Sequence, residues 1–309
     1  MLSNEQLVEM LKANIVTSVG GQVSAEDVAE FVDLSVEQNQ ILREIRVESG
    51  IAKSRNIDSI ELGDPTMVAA TEATAPDAAD IVAPSMPRLT LTPVEVLSAF
   101  NVSFDMLRKN VEGDNLNDTL NRVFAKRWGK DSVLAAFSGD SSLGATSRLN
   151  KTLRVFDGII TQAVADADVH DYSIPATPTY GGKDGVFNNM LALLPKDYRD
   201  QRDELGFFCS QDVVDDYNDE IGERQTTLGD TVILRGDMMP YKGVKLYPVF
   251  GQDNGKIILT LKRNLVVGFG QEMEMGRDIY YRTRTIEVTI YGSLHSGYIS
   301  SDAFVLGAA

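Results

Sequence analysis

The sequence predicts an α+β fold: an N-terminal helical arm, an extended β-hairpin loop, a long helix, and then helices and strands intermixed. Three observations predict it. Apolar residues recur at helical spacing within residues 3–38 and again, over a longer run, within 114–140. Between these runs, residues 41–62 and 88–104 alternate apolar and polar, the strand period, on either side of a stretch from Gly63 to Arg88 that has no period. After residue 150 both patterns alternate to the end of the chain.

The arm comes first. Ser3 caps a helix over 3–17, Gln6 completes a capping box, and Leu7, Met10 and Leu11 share one face. Gly20 and Gly21 break it. A second helix starts at Ser24 with Asp27 as capping partner, and Val28, Phe31 and Val32 continue an apolar stripe that fades toward Gln40. Neither helix has a core of its own, so both need a partner surface.

The loop follows. ILREIRVE (41–48) and SRNIDSIEL (54–62) read as strands. Residues 63–88 are rich in Ala, Pro, Thr and Asp and contain no aromatic residue. So long a patternless segment inside a compact domain is uncommon and usually functional. RLTLTPVEVLSAFNVSF (88–104) returns as a strand, with Pro93 at an edge or bulge because it cannot donate to a ladder. Together these predict a two-stranded arm, roughly 15–20 residues per side and on the order of 50–65 Å long at ~3.3 Å per residue. Two strands alone are marginally stable in water. Such an arm holds its shape only when it lies on something.

The strongest helical pattern covers 114–140. Asp114 or Asn115 caps it, and Leu116, Leu120, Val123, Phe124, Trp128, Val133, Leu134 and Phe137 form a broad apolar face. Gly129 is a weak point within it, and Gly139 suits its C-terminal stop. Further helices are predicted over 151–167, over 185–200 with a break at Pro195, and over 211–224, the last strongly acidic. GFFCS (206–210) reads as a buried strand, and 242–250, 255–270 and 278–307 are strand-rich, with Ile286, Val288 and Ile290 on one face.

Composition bounds the function. The 309 residues suggest about two domains, and 43% hydrophobic with 24% charged residues is ordinary for a folded globular chain. Twenty-nine basic against 45 acidic residues leave a net charge of −16. That balance argues against tight nucleic-acid binding, which needs a basic surface, but suits a container wall to which DNA does not stick. The one cysteine, Cys209, excludes an intrachain disulfide, lies in an apolar run and reads as a buried, inert thiol. No apolar run reaches the ~18 residues that span a bilayer, and MLSNEQLVEMLK has carboxylates where a signal peptide has basic residues. Folding in a cytoplasm is expected.

The order of parts resembles the major capsid protein of tailed bacteriophages, whose fold is shared with encapsulins and the herpesvirus capsid floor. Three stretches carry the resemblance: MLALLPKDYRD with GFFCSQDVVDDY, DMMPYKGVKLYPVF, and TRTIEVTIYGSLHSGYISSDAFVLG. It implies an N-terminal arm at 1–45, an extended loop at 46–108, a peripheral domain with its spine helix at 109–157, an axial domain at 158–270, and returning peripheral strands at 271–309. It implies a subunit that assembles through hexamers and pentamers into an icosahedral head around double-stranded DNA, without sequence-specific binding and without a cofactor. Portal, scaffolding and decoration proteins are the further partners it implies. Many relatives carry an N-terminal scaffolding segment of roughly a hundred residues; only about 45 precede the loop here, which implies a separate scaffolding protein or none. Some relatives cross-link a loop Lys to an Asn of the peripheral domain. Lys53 is the one Lys of the predicted loop before the strands return, and a solubilising edge residue is its preferred reading.

Chemistry beyond assembly finds little support. Asp166, Asp168, His170 and Asp171 stand close in ADADVHDY and could suggest a divalent cation, but a solvated loop after a helix is the preferred reading. Asp212, Asp215, Asp216, Asp219 and Glu220 read as an exposed helix face. GGKDG (181–185) lacks the spacing of a phosphate loop, and GFGQEM (268–273) lacks the third Gly of a dinucleotide fingerprint. No catalytic or metal-ligating residue is assigned. The expected inter-subunit contacts are Ile57, Ile60, Met67, Val68, Ile81, Val82, Leu89 and Leu91 on the loop, and Leu7 and Phe31 on the arm. An encapsulin-like compartment is the alternative within shells. A soluble acidic metal-dependent hydrolase built on 166–171 ranks below both.

Overall fold

The computed structural model describes residues 39–60, 62, 65–69, 77, 81–105, 116–223, 239–270 and 274–309. The arm helices predicted over 3–38, with Leu7 and Phe31, and the caps Asp114 and Asn115 lie outside the described residues.

The described chain opens on one helical turn, α1 (Gln40–Glu44), where a strand was expected. Asn39 caps it, its Oδ1 accepting from the Ile41 amide at 3.0 Å. Ile41, Leu42 and Ile45 all enter one core. Adjacent residues 41 and 42 would point to opposite faces of a strand; a helical turn buries both.

Three strands follow: β1 (Arg46–Ile51), β2 (Arg55–Asp58) and β3 (Arg88–Leu91). Pro93 then ends β3, and β4 (Val94–Ser103) runs on in a different sheet. The spine helix α2 (Leu116–Ser138) is continuous through Gly129. Residues 151–167 do not form the single helix expected. The chain breaks there into α3 (Arg148–Leu153) and α4 (Ile159–Ala165), because Gly158 turns against the end of the spine, its amide donating to the Gly139 carbonyl at 3.0 Å.

The rest comprises β5 (His170–Ser173), α5 (Val186–Leu193), α6 (Lys196–Arg199), β6 (Leu205–Cys209), α7 (Gln211–Gly222), β7 (Lys245–Pro248), β8 (Lys256–Leu261), β9 (Leu265–Gly270), β10 (Glu274–Tyr280), β11 (Thr285–Tyr298) and β12 (Phe304–Ala308). Pro195 separates α5 from α6, as expected.

Two five-stranded sheets organise these elements. In the first, β11 pairs antiparallel with β4, β10 and β9, and β9 pairs parallel with β1. The second has the order β5-β12-β8-β6-β7. Membership departs from the boundaries expected from sequence. Strand β9, placed in the axial region, belongs to the first sheet, and the terminal β12 crosses back to pair with β5 and β8 in the second. The chain therefore passes between the sheets at both 262–264 and 299–303.

The second sheet is covered on both faces at its centre, which explains the apolar runs of β6, β8 and β12. Phe208, Ile258, Phe304 and Leu306 face the core shared with the spine helix, α4 and the first sheet. Their neighbours Phe207, Ile257 and Val305 face a second core under α5 and α7.

Candidate assembly surfaces

The loop divides into a root fixed to its own chain and a tip that is not. At the root, β2 and β3 form four antiparallel pairs, from Arg55 with Leu91 to Asp58 with Arg88. The Ser59 amide extends this by one bond to the Pro87 carbonyl, 3.0 Å. This is far shorter than the arm of 15 to 20 residues per side expected from sequence, because β4 leaves the hairpin for β11.

The two faces of the root differ in character. Ile57, Leu89 and Leu91 are buried against Ile51 and Val266 of the same chain. These three expected inter-subunit contacts are thus consumed inside the subunit. Close approach depends on two glycines in the sheet beneath. A Cβ at Gly297 would stand 2.6 Å from Leu89 Cδ1, and one at Gly268 would stand 2.8 Å from Ile51 Cδ1. On the outer face Arg88 pairs with Asp58 at 2.6 Å and Thr90 donates to Asn56 at 2.9 Å, while at the edge of the root Glu48 of β1 bridges Arg46 and Arg55. Such exposed pairs are screened by solvent and contribute little. The buried face is what holds the root.

Beyond the root most apolar side chains among the described residues are exposed. Ile60, Val68 and Ile81 are more than half exposed, and Met67 is 91% exposed. Val82 is half-buried. Leu62 and Met86, not singled out from sequence, are also exposed. Single exposed apolar residues are ordinary, but a run of six or more along one projecting segment marks a contact surface. Lys53 lies in the turn between β1 and β2, at the base of the loop.

A second surface escaped sequence reasoning. Tyr280 and Tyr281 stand exposed at the end of β10, and Tyr291 on β11. The Tyr281 ring meets Phe104 edge-on, centroids 6.4 Å apart. Arg284 closes the turn at φ +55°. Exposed Tyr beside Arg is the composition of interface anchors, and YYRTR (280–284) is the signal that could have found it.

The acidic positions turn out to be structural where they are bound. The Asp166 carboxylate accepts from the Tyr298 and Ser301 hydroxyls, each at 2.7 Å, and these bonds hold its pKa below the usual value. Burial, then the Asp166 charge, pushes the Tyr298 phenol up. Glu220, expected on an exposed face, accepts from the Tyr180 and Gly181 amides at 2.6 and 2.7 Å. Asp216 lies on the other pattern: partial burial, then the charges of Asp212, Asp219, Asp215 and Glu220, raise its pKa. Among the described residues no group of three or more His, Cys, Asp or Glu is placed to hold a metal, and no helix is long and apolar enough to cross a membrane. The Cys209 thiol is buried and pushed up to about 12.

Polar bonds also lock the two crossings between the sheets. Buried Asn264 donates to Thr260 Oγ1 and the Ser300 carbonyl, both at 2.9 Å, and accepts from the Ile299 and Ser300 amides. Glu44 accepts from Tyr247 at 3.0 Å and from Lys262 at 3.3 Å. Burial pushes Glu44 up, but these hydrogen bonds and the charges of Lys262 and Lys245 outweigh it and leave its pKa lowered.

A clamped hairpin root, a spine helix and two sheets that exchange strands make a specific architecture. In overall structure the chain is similar to the satellite phage P4 procapsid, TM-score 0.64 with 13% identity, covering 91% of this chain and 98% of that one. This is the phage capsid fold. The capsid of an empty GTA particle matches with a TM-score of 0.57 and 14% identity over 96% of this chain and 94% of the other. A virus-like particle from Pyrococcus furiosus matches at 0.52 with 10% identity, covering 90% and 96%. In sequence, a Bacillus subtilis (strain 168) protein named as a prophage capsid protein, YqbE, is 25% identical over 98% of this chain and 97% of its own length. No family model matches the chain.

Proposed function

We propose that the chain is the major capsid subunit of a tailed bacteriophage, assembling through hexamers and pentamers into an icosahedral head around double-stranded DNA. The observation that carries the reading is the loop: its root is packed into its own subunit, while Met67, Val68 and Ile81 at its tip are exposed. In a shell, neighbouring copies cover those residues. Each contact need only be modest, since a subunit held by several neighbours gains by avidity. The −16 charge suits a wall that confines DNA without binding it. Assembly would take place in the host cytoplasm, with a portal and separate scaffolding or decoration proteins as further partners.

Removing residues 63–86 tests this, because it spares both root strands and the Asp58–Arg88 pair. The expected product is a folded, soluble subunit that forms no shells in electron micrographs. Normal particles from the deletion would overturn the proposal. The second reading, a protein-filled compartment, has the likeness to the Pyrococcus furiosus virus-like particle in its favour. Ultraviolet absorbance of purified particles separates the two, since only DNA-filled heads absorb chiefly near 260 nm.

A further inference from the structure

The spine helix, β4 and α3 enclose a groove of about 450 Å³, within the ~300–1,000 Å³ range of ligand clefts. Its floor is apolar, with Val96, Trp128 and Leu134, and its walls include Leu97 and Leu149, 58% and 54% exposed. Arg148 and Lys151 stand on its rim, in no ion pair among the described residues; the third rim cation, Arg127, is taken by Asp131 at 2.8 Å. Residues 122–154 carry seven basic and two acidic residues, net +5, in a chain of net −16. With Glu95 on β4 and Asp131 also in the lining, the groove carries three cations against two carboxylates, on a protein that is acidic overall.

We infer that this groove seats residues 24–37 of the same chain. Position is the first argument. The described chain begins at Asn39, whose Nδ2 donates to the Gly129 carbonyl at 3.2 Å, one residue from Trp128 in the groove floor. Only Gln38 separates Asn39 from the end of the segment. Pattern is the second. Val28, Phe31, Val32 and Val36 recur at i, i+3, i+4 and i+8, one face of a helix, while Glu26, Glu30, Asp33 and Glu37 fall on the opposite face. Charge is the third. Residues 24–37 contain five acidic residues and no Lys or Arg. The apolar stripe fits the floor and covers Leu97 and Leu149. The long stems of Arg148 and Lys151 reach up past it toward the acidic face. The arm is thereby stored along the spine of its own subunit.

A cysteine pair tests the seat in the full-length chain. Cys209 is buried and stays silent. With Phe31→Cys and Leu97→Cys together, mild oxidation is expected to give an intrachain disulfide in most molecules, read by non-reducing gel and peptide mapping. Pairing Phe31→Cys with Leu193→Cys, on α5, is expected to give none. Adding Arg148→Glu and Lys151→Glu is expected to lower the yield severalfold, and Glu30→Lys with Asp33→Lys to restore it. A 31–97 bond joining two chains, or no bond above the Leu193 control, would overturn the inference. The measurement is made on unassembled subunits and on particles alike, so it stands or falls apart from shell formation.

Discussion

Asp166 shows how much one side chain carries in this fold. It ties the end of α4 to the end of β11 and to the turn before β12, through Tyr298 and Ser301. Its pKa is lowered by those bonds. The stability it contributes is therefore present above the unfolded carboxylate value, ~3.9, and is lost as pH falls through the lower folded value. Asp166→Asn is expected to cost about 1–2 kcal/mol at neutral pH, with the deficit shrinking in acid; urea titrations between pH 7 and pH 3 measure it. Asp216 carries the opposite sign. Its raised pKa means its protonated form favours the folded state, so the stability present below the unfolded value is lost as pH rises through the folded one. Asp216→Asn is expected to raise stability at pH 7, and the same titrations read both variants. Neither role was legible in sequence. The acidic residues were visible, but the partners of Asp166 lie more than 130 positions away.

The loop root is the element on which the account turns. Gly268 and Gly297 are strand positions where a side chain would collide with the hairpin above. Gly297→Val is expected to lift β2 and β3 off the sheet at a cost of about 1–3 kcal/mol, while the two larger cores stay intact. Hydrogen exchange would then rise at 55–58 and 88–91 but not in β6 or β8; unchanged protection at the root would show that the packing there is slack. Element reading from sequence succeeded in the spine helix, where residues 132–137 are buried on all sides although Val123 of the expected apolar face is exposed, and in the all-buried β6. It failed where one stretch serves two partners. Residues 88–104 read as one strand with Pro93 at an edge or bulge, yet the alternation changes phase there and β3 pairs with β2 while β4 pairs with β11. Alternation reveals which residues share a face but not what that face meets, so the loop read longer than its ladder is.

At the scale of the whole molecule, the order of parts was legible and their exchange was not. Helix and strand patterns placed the loop root, spine and mixed region in order along the chain. The return of β12 to the second sheet and of β9 to the first depends on contacts between distant segments, which no local pattern encodes. The result is two sheets joined by the long passage through the spine helix and by two short crossings, with Asn264 bonded to both short ones. Such a body can hold a projecting loop rigidly at its root while leaving the tip for another copy. The central claim is that this tip is completed only by assembly. Sedimentation of the full-length protein, with electron microscopy of the fast fraction, tests it most directly. Closed shells built of many copies are the predicted result, and a monodisperse monomer under conditions where the chain is folded would contradict it.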